Sequence, residues 1–262
     1  METQTIVTDP AEAKTPSPRV APSGGTCKMF VLARRELANY FLSPLGYLLC
    51  ALVVFCEGYY YFECLRSNNE ASLRDLFVGM GIAMVFVVPL LTMRLMSEEF
   101  RSGTIECLMT APVTDFDVIM GKFLGTMGFY LVLLASTLLL MAFVMVYGQP
   151  DLGVAAMGYL GMILLGMAFV SVGLLASTIS PHQLISAVVA FAILGVFTFG
   201  MGMIVERAIE PWSHLAQYLS VKAQIERFAS GVFDTRSLVY FLSATVLFLF
   251  MSVKVLESRR WR

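Results

Sequence analysis

Residues 152–205 read LGVAAMGYLGMILLGMAFVSVGLLASTISPHQLISAVVAFAILGVFTFGMGMIV, and none of these 54 positions holds Asp, Glu, Lys or Arg. A helix needs about 20 apolar residues to cross the hydrocarbon core of a bilayer, so this run is too long for one crossing. Ser180-Pro181 marks a break, because proline removes a helical hydrogen-bond donor and biases the preceding residue away from helix. We therefore predict two membrane-spanning helices, at about 154–179 and 184–205.

The rest of the chain also has the composition of a membrane protein. Of its 262 residues, 58% are hydrophobic and 14% are charged, and the mean hydropathy is +0.76. A soluble domain typically has about 25% charged residues. Four more apolar runs predict spans at about 45–63, 76–95, 123–147 and 237–256. These runs exceed the strands of about ten residues that build membrane barrels. The predicted fold class is an all-α integral membrane protein with six transmembrane helices.

The basic residues predict how the spans are oriented. With six spans and both ends inside, 12 of the 18 Lys and Arg residues lie on the cytoplasmic side, which follows the tendency of these residues to stay there. We therefore predict a multi-pass protein of the cytoplasmic membrane with both termini in the cytoplasm. Residues 1–27 are polar and rich in Pro, Thr, Ala and Ser, which predicts a disordered cytoplasmic tail. Residues 206–236 become the largest outer element, with short helices around Trp212 and Tyr218.

Several function classes are disfavoured. A net charge of −1 provides no basic surface for nucleic acid. Gly121-Lys122 is followed by Phe123 and has no glycine five positions before it, so the chain lacks the Walker A motif of an ATP site. The HExxH and GxSxG signatures are absent, and the five cysteines show no CxxC spacing. We predict no catalytic, cofactor-binding or metal-binding residue in this chain, and therefore no enzyme.

Residues 28–41, KMFVLARRELANYF, precede the first span and have helical periodicity. One predicted face carries Phe30, Ala33, Leu37 and Phe41, and the other carries Arg34, Arg35, Glu36 and Asn39. This pattern predicts an amphipathic helix that lies among the lipid headgroups of the inner leaflet. The alternative is a basic flank that only orients the first span.

Residues 94–122, RLMSEEFRSGTIECLMTAPVTDFDVIMGK, form the longest predicted cytoplasmic loop and hold five acids against three bases. Acids contribute little to membrane topology, so their number here needs another reason. We predict that Ser97 caps a short helix with Glu98 and Glu99 in its first turn, and that this helix docks onto a cytoplasmic partner. The alternative is a solvated loop whose charges balance.

Glu57 is the one charged residue between Leu45 and Phe62, in the first predicted span. It lies about 18 Å along the helix from Leu45 at 1.5 Å per residue, beyond the midplane. A charge at this depth is costly, so a place on a substrate path is the first hypothesis. The alternative is a glutamate that is protonated or reaches the interface.

Small residues recur four positions apart in two of the spans. Gly121-xxx-Gly125 and Gly173-xxx-Ser177 are typical of helix faces that pack closely against a neighbour. We predict a packing role for both pairs.

Three motifs resemble those of a known family. They are Arg35-Glu36-Leu37-x-x-Tyr40-Phe41-x-Ser43-Pro44, then Arg94-x-x-x-Glu98-Glu99-x-Arg101-x-Gly103-Thr104-x-Glu106-x-Leu108-x-x-x-Pro112, and finally Phe228-Ala229-x-Gly231-Val232-x-Asp234-x-Arg236-x-x-x-Tyr240-Phe241, which closes at Glu257-x-Arg259-Arg260-Trp261. In this order the chain is similar to the ABC-2-type permeases, the membrane halves of ABC transporters. The branch it resembles includes the gliding-motility permease and the copper-maturation permease of nitrous oxide reductase operons. The resemblance covers residues 28–262, which would form one permease domain.

The resemblance implies a permease subunit, more an exporter than an importer, that pairs with a second permease half, identical or different. Two separate ATP-binding subunits would bind ATP and Mg²⁺ on the cytoplasmic side. It implies that the 97–112 segment is a coupling helix that acts through Glu98, Glu99, Arg101, Gly103, Thr104, Glu106, Leu108 and Pro112. The 28–41 helix, with Arg34, Arg35 and Glu36, would be a connecting helix beside the ATPase. The alternative is a membrane scaffold of a motility or maturation complex that transports nothing.

Overall fold

The computed structural model describes residues 25–68, 73–103, 114–139, 141–142, 151–207 and 212–260. Every regular element in these ranges is a helix. In chain order they are α1 (Gly25–Leu42), α2 (Pro44–Asn68), α3 (Leu73–Thr92), α4 (Ser97–Ser102), α5 (Asp115–Ser136), α6 (Leu152–Ile179), α7 (Gln183–Gly195), a π-helical turn (Val196–Gly200), α8 (Met201–Arg207), α9 (Trp212–Leu219), α10 (Val221–Ala229) and α11 (Thr235–Arg260).

Six stretches of the described residues are long and apolar enough to cross a membrane. They are Pro44–Glu63, Arg74–Ser102, Asp115–Ser136, Leu152–Ile179, Gln183–Val205 and Thr235–Arg259. This confirms the predicted all-α fold with six membrane-spanning helices. The break after Ile179 comes where proline predicts it, since Ser180 and His182 have extended backbones.

The helix α6 is the centre of the bundle, and most of its side chains from Met162 to Thr178 are buried. It packs against α3, α5, α7, α10 and α11. In contrast, α2, α7 and α11 bury one face and expose large apolar side chains such as Phe55, Val188 and Val246. Such surfaces suit lipid, so α2, α7 and α11 lie at the periphery of the described bundle.

Glycines bring two pairs of helices into close approach. A Cβ atom added at Gly125 on α5 would lie 2.7 Å from the carbonyl oxygen of Ala33 on α1, and one at Gly121 would lie 2.7 Å from Leu32 Cβ. A Cβ atom at Gly173 on α6 would clash with Thr92 Oγ1 at the end of α3. Both small-residue motifs therefore lie at helix contacts, and at their three glycines only hydrogen fits.

The predicted apolar face of α1 is divided between contact with α5 and exposure. Ala33 and Tyr40 are buried, but Phe30 and Phe41 are 70% and 42% exposed. The reason is that the glycine-lined surface of α5 accepts the small side chain of Ala33 and leaves the bulky rings outside. The predicted tail, 1–27, lies mostly outside the described residues, and α1 begins at Gly25, ahead of the predicted start at Lys28.

The helix α5 begins at Asp115, earlier than the predicted span start at Phe123. Thr114 and Asp117 form a capping box, in which Thr114 Oγ1 accepts from the Asp117 amide at 3.1 Å and the Thr114 amide donates to Asp117 Oδ2 at 3.2 Å. Lys122 therefore lies two turns inside the helix and does not mark its end.

The segment after α8 contains the short helices α9 and α10, where the sequence predicts short helices around Trp212 and Tyr218. They are bonded to the start of α11. The Gln224 amide donates to the Tyr218 carbonyl at 2.7 Å and accepts from the Ser237 hydroxyl at 2.5 Å. The Tyr240 hydroxyl donates to the Leu219 carbonyl at 2.9 Å.

The glycine contact predicts a difference between two identical substitutions. Gly125→Ala places a methyl group against the α1 backbone and is expected to destabilise the protein by about 1–3 kcal/mol. Gly195→Ala, in α7, meets no atom within 4 Å and is expected to be neutral or to stabilise by up to about 1 kcal/mol. The midpoint of heat denaturation in detergent measures both. Equal midpoints for the two variants would show that α1 does not pack on α5 at Gly125.

Candidate functional site

A buried ammonium group joins three elements near the point where the chain enters the first span. Lys122, on α5, is 3% exposed. Its Nζ donates to Glu36 Oε1 on α1 at 2.8 Å, to Glu99 Oε1 on α4 at 2.8 Å and to the Leu95 carbonyl at 2.6 Å. We call Lys122, Glu36 and Glu99 the lysine triad.

The triad satisfies its lysine completely. An ammonium group has three donors, and each of them meets an oxygen. A buried charge is tolerated when it is paired and hydrogen-bonded, and removing one partner of such a pair typically costs about 3–5 kcal/mol. The triad therefore fixes the position of α4 relative to α1 and α5.

The hydroxyl of Ser97 attaches α4 to a third helix. Ser97 does not cap α4 as predicted, because Met96 occupies the N-cap and no side chain caps it. The Ser97 hydroxyl instead donates to the Ser180 carbonyl at 2.8 Å, while Ser177 Oγ accepts from the Met96 amide at 2.8 Å. The small side chain of Ser177 on α6 thus also anchors the turn before α4.

A cavity of about 430 Å³ lies beside the triad, between α1, α2, α4 and α5. Three basic and three acidic side chains line it: Arg35, Arg94, Lys122, Glu36, Glu98 and Glu99. Arg94 donates to Ser43 Oγ at 3.1 Å and pairs with Glu98 at 3.5 Å. Glu99 Oε2 is buried and has no hydrogen-bond partner among the described residues.

Tyr40 holds the other side of this junction. Its hydroxyl donates to the Leu91 carbonyl at 3.0 Å and lies 3.4 Å from Thr126 Oγ1. Burial raises the pKa of Tyr40 above its ordinary value, so the phenol stays a neutral donor. It ties α1 to the end of α3 and to α5.

The predicted coupling and connecting residues divide into two groups. Glu36 and Glu99 point inward to Lys122, whereas Glu98, Arg101, Arg34 and Arg35 are exposed. Gly103 ends α4 with a φ of 71°, a left-handed conformation that favours glycine. Within the described residues α4 thus ends at Ser102, and the predicted helix over 97–112 is not continuous. Thr104, Glu106, Leu108 and Pro112 lie outside the described residues.

Glu57 lies apart from the triad, on the buried face of α2. It is 2% exposed, and neither carboxylate oxygen has a hydrogen-bond partner among the described residues. That Glu57 belongs to a substrate path stays a prediction.

Sequence reasoning missed Lys122, which served only as a basic residue on the cytoplasmic side. The sequence does contain a signal for it: Lys122 is the only charged residue in 118–134, a stretch that follows a Thr-x-x-Asp helix cap. A charged residue inside an apolar helix requires a partner, and the excess of acids in the 94–122 loop supplied one.

Replacing the lysine tests the triad. Lys122→Met leaves two buried carboxylates without their cation, and is expected to destabilise the protein by about 3–5 kcal/mol. Lys254→Met is the control, because Lys254 pairs with Glu257 at an exposed site, where a pair contributes about 0–1 kcal/mol.

The measurement is the heat-denaturation midpoint in detergent. The triple variant Lys122→Met, Glu36→Gln, Glu99→Gln removes the unpaired charges as well and is expected to recover part of the loss. A Lys122→Met midpoint equal to that of the control would contradict a buried ion pair.

Comparison with known proteins identifies the family of the chain. The family model described as "ABC-2 family transporter protein" matches residues 27–255. No curated protein matches the chain. The match runs from α1 into α11 and includes the lysine triad, and it covers well over half of the sequence. The chain therefore belongs to the ABC-2 family of transporter proteins and is a multi-pass membrane permease subunit of an ABC transporter.

Proposed function

We propose that this permease receives its energy from a separate ATP-binding subunit through the exposed side of α4. One observation carries the proposal: α4 is exposed on one side, at Glu98 and Arg101, and bonded to three other helices on the other. A force applied to Glu98 and Arg101 would pass through the triad to α1 and α5, and through Ser97 to α6. Contiguous hydrogen-bonded contacts of this kind can carry energetic coupling between sites.

The helix α1 would form the second contact with the ATPase. Arg34 and Arg35 are exposed on the helix that Glu36 ties to the triad. Arg35 lines the same cavity as the exposed Glu98 of α4, and this mixture of charges suits complementary charges on a soluble partner. The cavity between α1 and α4 would admit a side chain of that partner.

ATP and Mg²⁺ would be bound by the partner subunit. In P-loop ATPases the phosphates are cradled by a glycine-rich loop, and this chain has no such motif. The role of the chain would be mechanical. Closure of two ATP-binding subunits would move α4, and the attached helices would open a path across the membrane.

We further propose an exporter of the cytoplasmic membrane, with α1, α4 and both termini in the cytoplasm. The excess of Lys and Arg on that side supports the orientation. On the opposite side the described residues form the short helices α9 and α10. These helices offer only a small surface to an outer substrate-binding protein of the kind that an importer needs, and this favours export. A second permease half, identical or different, would complete the path, and α2, α7 and α11 expose apolar surface for it and for lipid.

The first and third sequence motifs support the gliding-motility and copper-maturation branch.

Purification of the tagged chain from its native membrane in mild detergent tests the proposal. Mass spectrometry identifies the partners, and ATP hydrolysis is measured on the same sample. We expect a stoichiometric ABC ATP-binding subunit. A chain recovered in several detergents without any nucleotide hydrolase would overturn the proposal in favour of a membrane scaffold.

The two neighbouring glutamates are expected to behave differently. The double variant Glu98→Gln, Arg101→Gln changes exposed groups and should leave the denaturation midpoint unchanged. The amount of ATP-binding subunit that copurifies with the permease, its retention, should fall about tenfold, which corresponds to about 1.4 kcal/mol of binding free energy. Glu99→Gln should instead lower the midpoint, because it weakens the triad. Glu257→Gln, at an exposed site near the end of α11, is the control for charge removal. Unchanged retention in the double variant would exclude this side of α4 as the docking surface.

A further inference from the structure

The last span contacts α4 through Arg259, which closes the third sequence motif and is not a member of the triad. The Arg259 guanidinium lies over the Phe100 ring, 4.6 Å from its centroid. The same side chain donates a hydrogen bond to the Ile179 carbonyl. Phe100 is on α4, and Ile179 is the last residue of α6.

We propose that Arg259 is a positioning residue that joins α4 to α11, and that α11 carries the movement of α4 to α9 and α10 at the other end of the molecule. The proposal rests on the function proposed above, since the movement of α4 is attributed there to the ATPase. It adds a second route, separate from the lysine triad.

The chemistry at the α4 end suits a specific contact. Arginine stacks its planar guanidinium on aromatic faces, and it remains charged at any physiological pH. The last carbonyls of a helix lack partners within the helix and carry its negative dipole, so the Ile179 carbonyl is a favourable acceptor for a cation. Arg259 therefore contacts two elements at once: α4 through the Phe100 ring, and α6 through the carbonyl of its last residue.

The helix α11 has the length and stiffness to act as a rod. It runs without Pro or Gly from Thr235 to Arg260, 26 residues, or about 39 Å at 1.5 Å per residue. In comparison, α3 contains Pro89, and the span that starts with α7 contains the π-helical turn Val196–Gly200. Prolines and π-helical turns are where helices bend. A displacement at Arg259 would therefore reach Thr235 with little loss.

The far end of α11 is bonded as firmly as the near end. Ser237 donates to Gln224 on α10, and Tyr240 donates to the Leu219 carbonyl at the end of α9. Just before α11, Asp234 accepts from Arg227 on α10 at 3.1 Å. These contacts are polar and directional, so α9 and α10 follow the start of α11.

A reporter on α10 tests the proposal in the complete complex with its ATPase. The five native cysteines are replaced by alanine, and Ser230→Cys introduces one thiol at the exposed end of α10. The labelling rate with a membrane-impermeant maleimide is measured without nucleotide and with ATP plus vanadate. We expect the rate to change on trapping. Arg259→Ala should reduce that change at least about fivefold, the lower end of typical coupling factors.

Matched variants separate this role from a structural one. Arg259→Lys keeps the charge without the planar group and should give an intermediate change. Phe100→Leu removes the ring from the other side and should reproduce Arg259→Ala, and the double variant should be no worse than either single one. Lys254→Ala, one and a half turns before Arg259, should behave as the parent. If Arg259→Ala does not accumulate in the membrane, Phe100→Leu decides.

The outcomes distinguish the two proposals. A full trapping-dependent change in both Arg259→Ala and Phe100→Leu would overturn the role of Arg259. An active complex whose Ser230→Cys labelling ignores nucleotide would overturn the role of α11 and leave the proposed function standing. A complex that mass spectrometry shows to contain no ATP-binding subunit would defeat the proposed function, and this inference with it.

Discussion

The Lys122 ammonium group is excluded from solvent, and its charge is acceptable there only because two carboxylates and a carbonyl surround it. Glu36 comes from a helix that precedes the first span, and Glu99 from α4, at the end of the second. Neither acid is close to Lys122 in sequence, so the charge is satisfied only when α1, α4 and α5 are assembled. The ion triad thus makes the position of α4 a consequence of folding.

This arrangement depends on glycines, which let neighbouring helices approach closely. Glu36 reaches Lys122 because α1 lies directly on α5, and it lies there because Gly121 and Gly125 offer no Cβ atoms. The same principle brings Thr92, at the end of α3, against Gly173 of α6, near Ser177, which holds the turn before α4. The glycine contacts bring the helices close together, and the polar groups are thereby placed within hydrogen-bonding distance of one another. Close packing alone would position the helices without linking α4 to any of them.

The sequence predicts the fold well and the site in part, for a physical reason. Exclusion of charge from hydrocarbon is a local property, so charge-free runs locate six spans and the break at Pro181. The same rule fails at Lys122, because a charge is read as the end of a span when its partner is unknown. The partners of Lys122, Glu36 and Glu99, lie 86 and 23 residues away in sequence. Ser97 shows a related limit: a cap is predicted from neighbours, but the hydroxyl bonds to α6, about 80 residues distant. Glu98, Glu99 and Glu36 were singled out as functional residues by sequence, but their division into exposed and inward groups needed the structure.

The contacts on α4 differ in strength, and this difference suggests how the helix would move. The triad and the Ser97 bonds are buried and resist separation. The Phe100 ring, next to Glu99 in sequence, meets Arg259 through a cation–π contact, which is worth about 0.5–1 kcal/mol at exposed sites and about 2 when desolvated. A load on Glu98 and Arg101 would therefore shift Phe100 against Arg259 while the triad holds, so α11 would register a small movement of α4 before the triad yields.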